Sequence, residues 1–252
     1  MSGSDWDAED NQSFLVSVSD LMSSLIFLFI ITLMMFALKF DTATSSLESA
    51  GATRAEMLRT MKQRLLEHDA ALSVEIDTLQ GILRLGEQSI NFPSGDASPL
   101  PQHRPRVEAV ADVLSEVLPC FLPGLRVRCS DRIRSSLDTI RYAAPLEAVL
   151  IEGHTDSVPI VGVLRNYYAS NMELSGARAA RILRLMTEHA PLLDSLRNAS
   201  GLQVLSISGY GERRLADTVQ KASAVNRRID LRFLMEPPKS GAGAAAGVRC
   251  RA

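Results

Sequence analysis

The sequence predicts an α/β (α+β) protein: a single N-terminal transmembrane helix, a helical connector, and a β/α sandwich of one sheet against two or more helices. Three observations carry this. An apolar run with a single ionisable residue fills Phe14 to Leu38. A row of leucines at every seventh position follows, from Leu58 to Leu79. Beyond Leu83, segments alternating at period two are interleaved with segments of helical period, the pattern of a sheet with helices packed on it. In order, the expected divisions are a tail 1–13, the membrane helix 14–38, the connector 39–82, the sandwich domain 83–236 and a low-complexity tail 237–252.

The run FLVSVSDLMSSLIFLFIITLMMFAL has no charged face, unlike the amphipathic helix of a soluble protein. As a helix it reaches roughly 37 Å, more than the roughly 30 Å of a hydrocarbon core. It is too long for a signal-peptide core and lacks a basic stretch before it, so it is expected to remain as an anchor. Asp20 is the residue to explain, because an ionised carboxylate in a bilayer costs about 2.5–3.5 kcal/mol on insertion scales. Its helical neighbours are Ser17, Ser23 and Ser24, which complete a polar stripe suited to face protein or water. Two readings stand at this point: a functional intramembrane acid, or an acid at the membrane edge with the apolar core starting at Leu21.

Lys and Arg number 27 against 29 Asp and Glu, a net charge of −2, so no basic footprint for nucleic acid is present. The first 38 residues hold no Lys, Arg or His, while Lys39 and Arg54 follow the apolar run. Charge alone therefore favours, weakly, a cytoplasmic carboxyl side. None of the three cysteines precedes Cys120, which argues against a lipidated cysteine behind an N-terminal signal.

Asp41 to Thr53 is small and polar, a short linker or frayed helix. From Arg54 to Ile82 a helix is expected, with Leu58, Leu65, Leu72 and Leu79 in one row and Met61, His68, Glu75 and Ile82 between them. That weak heptad could pair two copies or pack on the domain that follows. Strands are expected over Leu83 to Phe92, Arg126 to Cys129, Glu147 to Gly153, Leu202 to Ser208 and Arg228 to Met235. Helices are expected around Val107 to Leu118 and over Leu174 to His189, with Ala179, Ile182, Leu183 and Met186 turned inward.

Two stretches could carry chemistry. Ile151 to Asp156 (IEGHTD) sets Asp156 just past a strand end, and NMELSGARA from Asn171 puts Arg178 about two turns into a helix. A carboxylate and a guanidinium converging there would suit a zwitterionic ligand, although the same pair could be purely structural. No metal site is expected: His154 and Asp156 are two ligands short of a zinc set, and His68, His103 and His189 are scattered. No nucleophile elbow, phosphate-cradling glycine loop or Cys–His arrangement occurs, so an enzyme is not expected.

IEGHTD, then N171-M-E-L174-S175-G-A-R178-A179, then ISGYGE from Ile207, then N226-R-R-I229, in that order, resemble the OmpA-like peptidoglycan-binding domain. The resemblance implies a β/α sandwich whose ligand is the diaminopimelate of the peptidoglycan stem peptide. Asp156 would take the ligand's ammonium and Arg178 its carboxylate, with Asn171, Leu174 and Ser175 shaping the pocket. The loop Ser157 to Ser170 is longer than is typical of that family. Upstream, the segment from Ser19 to Phe29 is similar to the membrane helix of MotB-type stator subunits, in which an Asp carries the transported ion. The acidic start and helical connector resemble the ZorB-type subunits of the Zorya anti-phage defence system more than flagellar members, whose amino-terminal segment is basic.

These resemblances imply the B subunit of an ion-driven motor, moving protons through Asp20 with no cofactor. Its partners would be a MotA-like (ZorA-type) membrane subunit, peptidoglycan and a second copy, as a homodimer within a larger hetero-oligomer. Peptidoglycan lies outside the inner membrane, so the amino terminus would be cytoplasmic and the carboxyl-terminal domain periplasmic, against the weak charge bias. An oxidising periplasm would permit a Cys120–Cys129 disulfide and leave Cys250 free.

Overall fold

The structure is a computed structural model and describes residues 4–86, 88–125, 128–138 and 144–236. It divides into two units at Ser46. Most of helix α1, Ser4–His68, forms the first. From Val16 to Phe40 every large apolar side chain of α1 is exposed, and the helix is long and apolar enough to cross a membrane, with a mean hydropathy of 2.6 over its most apolar 18 residues. The hydroxyls of Ser23 and Thr32 are turned back onto the carbonyls of Ser19 and Leu28, each at 2.8 Å, which satisfies them without water. The small polar stretch after Asp41 continues the same helix. Thr42 and Thr44 donate to the carbonyls of Lys39 and Phe40, and no proline interrupts the ladder.

The second unit begins within α1 at Leu47. Met57, Leu58, Met61 and Leu65 recur at spacings of three and four and are all buried. They pack into one core with Val107, Val110, Ala111, Leu114 and Val117 of helix α2, Arg104–Val117. Arg64 fixes the two helices with a forked pair of bonds to Glu116, 2.8 and 3.0 Å.

The helix expected to reach Ile82 stops instead at His68. There Asp69 Oδ1 accepts the Ala71 amide at 2.9 Å and bends the chain. Strands β1, Val74–Asp77, and β2, Ile82–Leu85, follow as an antiparallel hairpin. Asp77 Oδ1 accepts the amides of Leu79 and Gln80, and Gly81, at φ 73°, completes the turn. The leucine row is thereby explained: Leu58, Leu65 and Leu72 are buried in this unit's own core, while Leu79 sits on the hairpin turn, 88 % exposed. Of the two readings of that row, packing on the domain is the one the structure contains.

Strands β3, Leu146–Gly153, β4, Leu205–Gly209, and β5, Ile229–Met235, complete a sheet of order β1-β2-β5-β3-β4. Among the described residues only β3 and β4 pair in parallel, and helix α4, Asn171–His189, is the crossover that parallel strands require. Short helices α3, Asp131–Asp138, and α5, Leu192–Ser195, fill in the connections. Leu83, Leu85, Val149, Ile151, Ile229, Leu231 and Phe233 are buried in one core with the inner faces of α2 and α4. The opposite sheet face carries Arg84, Glu152, Asp230 and Arg232, as strict alternation demands.

Some strands are shorter than expected. The one expected to run from Leu83 to Phe92 ends at Leu85, although Ile90 and Phe92 are buried from the turn beyond. The one expected from Leu202 begins at Leu205. Of the strand expected at 126–129, residues 126 and 127 lie outside the described residues, and Arg128 and Cys129 are not in a strand. The tail 237–252, with Cys250, also lies outside them. Cys120 and Cys129 are joined by a disulfide.

Candidate functional site

The site forms where β3 and β4 end against the first turns of α4. Two glycines let the helix approach. A Cβ on Gly153 would fall on the backbone oxygen of Ser175, and one on Gly209 would come within 2.7 Å of the Gly176 nitrogen. Ser175, expected to shape a pocket, is wholly buried and holds the layers together. Its hydroxyl donates to the Met172 carbonyl at 2.7 Å and accepts the Gly211 amide at 2.9 Å.

Ser170 caps α4: its hydroxyl accepts the Glu173 amide at 3.4 Å, while the Glu173 carboxylate accepts the Ala169 amide at 2.8 Å. Asn171 donates through Nδ2 to the Val158 carbonyl at 3.0 Å, tying the helix start to the loop after Asp156. Leu174 is buried beside it.

Arg178 is 1 % exposed. It donates to the carbonyls of Asp96 at 2.9 Å, Pro93 at 3.2 Å and His154 at 3.4 Å, and its guanidinium carbon lies 4.8 Å from the centre of the Phe92 ring. Burial pulls its pKa down to about 10, with the Asp156 carboxylate opposing the shift, so it stays charged at neutral pH. A guanidinium has five N–H donors, and three of these point at carbonyls of the chain itself.

Asp156 stands at the same end of the sheet and is also buried. Among the described residues its ion-pair partner is not Arg178 but Arg227, Nη1 to Oδ2 at 2.8 Å. Its other oxygen accepts the Val158 amide at 3.2 Å. Fold and charge thus bring Asp156, Asn171, Leu174, Ser175 and Arg178 together, with one fixed carboxylate and two guanidinium groups, those of Arg178 and Arg227. Arg227 was missed, although it stands in the quoted NRR motif. The neighbouring Asn226 knits the loop beneath it: Oδ1 accepts the amides of Ala216 and Asp217, and Nδ2 donates to the carbonyls of Asp217 and Lys221. The turn that holds Arg178 falls in PSGDASPLP, whose turn chemistry is legible in the sequence, but nothing local there points to Arg178 as the residue it would hold. The long loop from Ser157 to Ser170 exposes Val158, Val161, Val163 and Tyr167 next to this end of the sheet.

In the first unit, Ser17, Asp20, Ser23 and Ser24 are all exposed on α1. They share one side of the helix by their spacing.

No family model matches the chain, and neither does any curated protein. Several solved structures align with part of the chain. The periplasmic domain of Helicobacter pylori MotB is 17% identical, with a TM-score of 0.38 over 62% of this chain and 76% of that one. A MotB-like protein from Desulfovibrio vulgaris is 18% identical, with a TM-score of 0.42 over 79% and 99%. The cell wall anchor of the T6SS from Pseudomonas aeruginosa is 20% identical, with a TM-score of 0.41 over 69% and 96%.

Proposed function

We propose that this chain is the B subunit of an ion-driven membrane motor held still by peptidoglycan. The observation that carries the wall-binding half is the placement of a buried, charged Arg178 and the Arg227-held carboxylate of Asp156 at one end of the sheet, inside the four ordered motifs. A zwitterion such as diaminopimelate offers a carboxylate to the donors of Arg178 and an ammonium to Asp156. The motor half rests on Asp20 within an exposed apolar helix. Protonation removes a charge whose burial in lipid costs about as much as the roughly 2.3 kcal/mol that one charge gains across 100 mV. That is sufficient to switch contacts with surrounding helices of a MotA-like partner.

In this reading the chain crosses the inner membrane once, with its amino terminus in the cytoplasm and its second unit in the periplasm. It pairs as a homodimer inside a larger hetero-oligomer and moves protons. The acidic start and helical connector support the reading as a ZorB-type subunit of anti-phage defence over a flagellar one.

Two variants in the full system test the two halves. Asp156→Asn keeps the shape and removes the charge, so it should abolish co-sedimentation with purified peptidoglycan. Asp20→Asn should keep co-sedimentation and lose proton flux and phage protection. Full protection by Asp20→Asn would leave a passive tether between membrane and wall.

A further inference from the structure

On the sheet face away from α2 and α4 lies a second polar site, which the wall-binding reading does not use. A cavity of about 590 Å³ is lined by Arg84, Arg214, Arg228 and Arg232, with His154 and Tyr210. Glu152 and Asp230, opposite each other on β3 and β5, form part of its floor and are fully buried. Two carboxylates facing each other on adjacent strands repel, and the arginines answer that repulsion. Arg232 makes a fork to Glu152 at 2.6 and 3.1 Å, while Arg84 and Arg228 reach the two oxygens of Asp230 at 3.3 and 3.2 Å.

The compensation overshoots. Four guanidinium groups against Glu152 and Asp230, with Glu75 3.8 Å from Arg84 as a third carboxylate, leave one positive charge in excess. Arg214 lies over the Tyr210 ring at 4.0 Å, while Tyr210 itself donates to Glu152. Arg228 is only 4 % exposed, yet its Nη1 has no hydrogen-bond partner among the described residues. Among the described residues neither ring nitrogen of the equally buried His154 has one either, although Nε2 lies 3.5 Å from Asp230 Oδ2. A buried polar atom without a partner is costly, and Arg228 Nη1 and the donor and acceptor nitrogens of a neutral His154 all belong to residues that line this cavity.

Charge decides the class of ligand. Glu152, His154 and Asp230 offer ligand atoms within 4.8 Å of one another, which suggests a metal ion. Every carboxylate in that set is already engaged by arginine, however. The arginines also act on the imidazole as they would on a cation: burial, then Arg228, Arg84, Arg214 and Arg232, hold the His154 pKa down to about 3. A divalent cation would meet the same repulsion. An anion would neutralise the excess, and arginine forks match the oxygens of a tetrahedral one.

We propose that this cavity binds a phosphate group, free or borne by a larger molecule. Arg228 Nη1 and His154 supply the buried contacts, and Arg214, over Tyr210, closes on the outer side. The site is joined to the wall-binding end through His154, whose ring lines the cavity and whose carbonyl accepts from Arg178.

The test is calorimetric titration of the full chain in detergent with sodium phosphate at constant ionic strength, against sodium chloride. The expected result is one saturable site per chain, weakened about tenfold in the exposed Arg214→Ala variant, with peptidoglycan co-sedimentation unchanged. A His154→Gln variant, which retains donor and acceptor atoms, should keep most of the affinity. Glycerol 3-phosphate binding as tightly as phosphate would support a ligand carried on a larger molecule, and binding of phosphate alone would support the free ion. Absence of saturable phosphate heat, equal affinity in Arg214→Ala, or zinc binding that His154→Gln abolishes would each overturn the proposal.

Discussion

Arg227 Nη1 lies 2.8 Å from Asp156 Oδ2, so the acid proposed to meet the ligand's ammonium is already held by a cation of its own chain. The two residues are 71 positions apart, and the bond closes the loop after β3 onto the start of β5. A carboxylate fixed in this way presents its charge in one direction. It loses little entropy when a ligand arrives. Arg227→Ala should therefore weaken peptidoglycan co-sedimentation by roughly tenfold, about 1.4 kcal/mol, and by less than Asp156→Asn does. Arg227→Lys should recover part of the loss. Unchanged binding in Arg227→Ala would mean that the pair is irrelevant to the ligand.

The approach of α4 to the sheet depends on Gly153. A methyl group there would overlap the Ser175 backbone oxygen, an atom that cannot rotate away. Gly153→Ala should cost about 1–3 kcal/mol or more, seen as a lower urea midpoint with an unchanged slope. Because Ser175 also holds Gly211, peptidoglycan binding should fall with stability.

How much of this was legible in the sequence depends on the distance over which each signal acts. Strands β3 and β5 and helices α2 and α4 could be read because their alternation and helical faces are local and strong. The β1–β2 hairpin could not, because Leu72 and Leu79 continue a seven-residue spacing begun inside a true helix. The turn there is made by Asp77 and Gly81, single residues within that spacing. Period two on β5 placed Asp230 away from the core. It could not show that arginines from β2 and from the start of β5 would bury it. Arg227 was visible as a residue of a motif, but its partner is a long-range fact.

The leucine row can be tested by two substitutions. Leu65 is buried in the core with α2, so Leu65→Ala should destabilise the unit by about 2–5 kcal/mol. Leu79, on the hairpin turn, is 88 % exposed, and Leu79→Lys should leave the melting temperature unchanged. A large loss of stability or of self-association in Leu79→Lys would restore a seam between copies.

Reduction of the Cys120–Cys129 disulfide should lower stability by about 2–3 kcal/mol, since the bond closes a short loop in the unfolded chain. Melting with and without a thiol reductant measures this. The Cys120→Ala, Cys129→Ala variant should then be insensitive to the reductant.

His154 makes stability depend on pH, with a sign that can be derived. Its pKa is about 3 in the folded chain, against an ordinary value of 6.5 once the chain unfolds. Between those two values the unfolded chain carries the proton and the folded chain does not, so acid favours unfolding. The contribution is complete above about pH 6.5 and is lost as the pH falls towards 3, at up to about 1.4 kcal/mol per pH unit. Carboxylates also titrate in the lower part of this range, so His154→Gln is needed as the reference. Between pH 7 and pH 5 the native chain should lose about 2 kcal/mol more unfolding free energy than His154→Gln does, measured by urea titration at each pH. Equal losses in the two chains would mean that the imidazole is reached by water, and the arginine cavity around it would then be open rather than shielded.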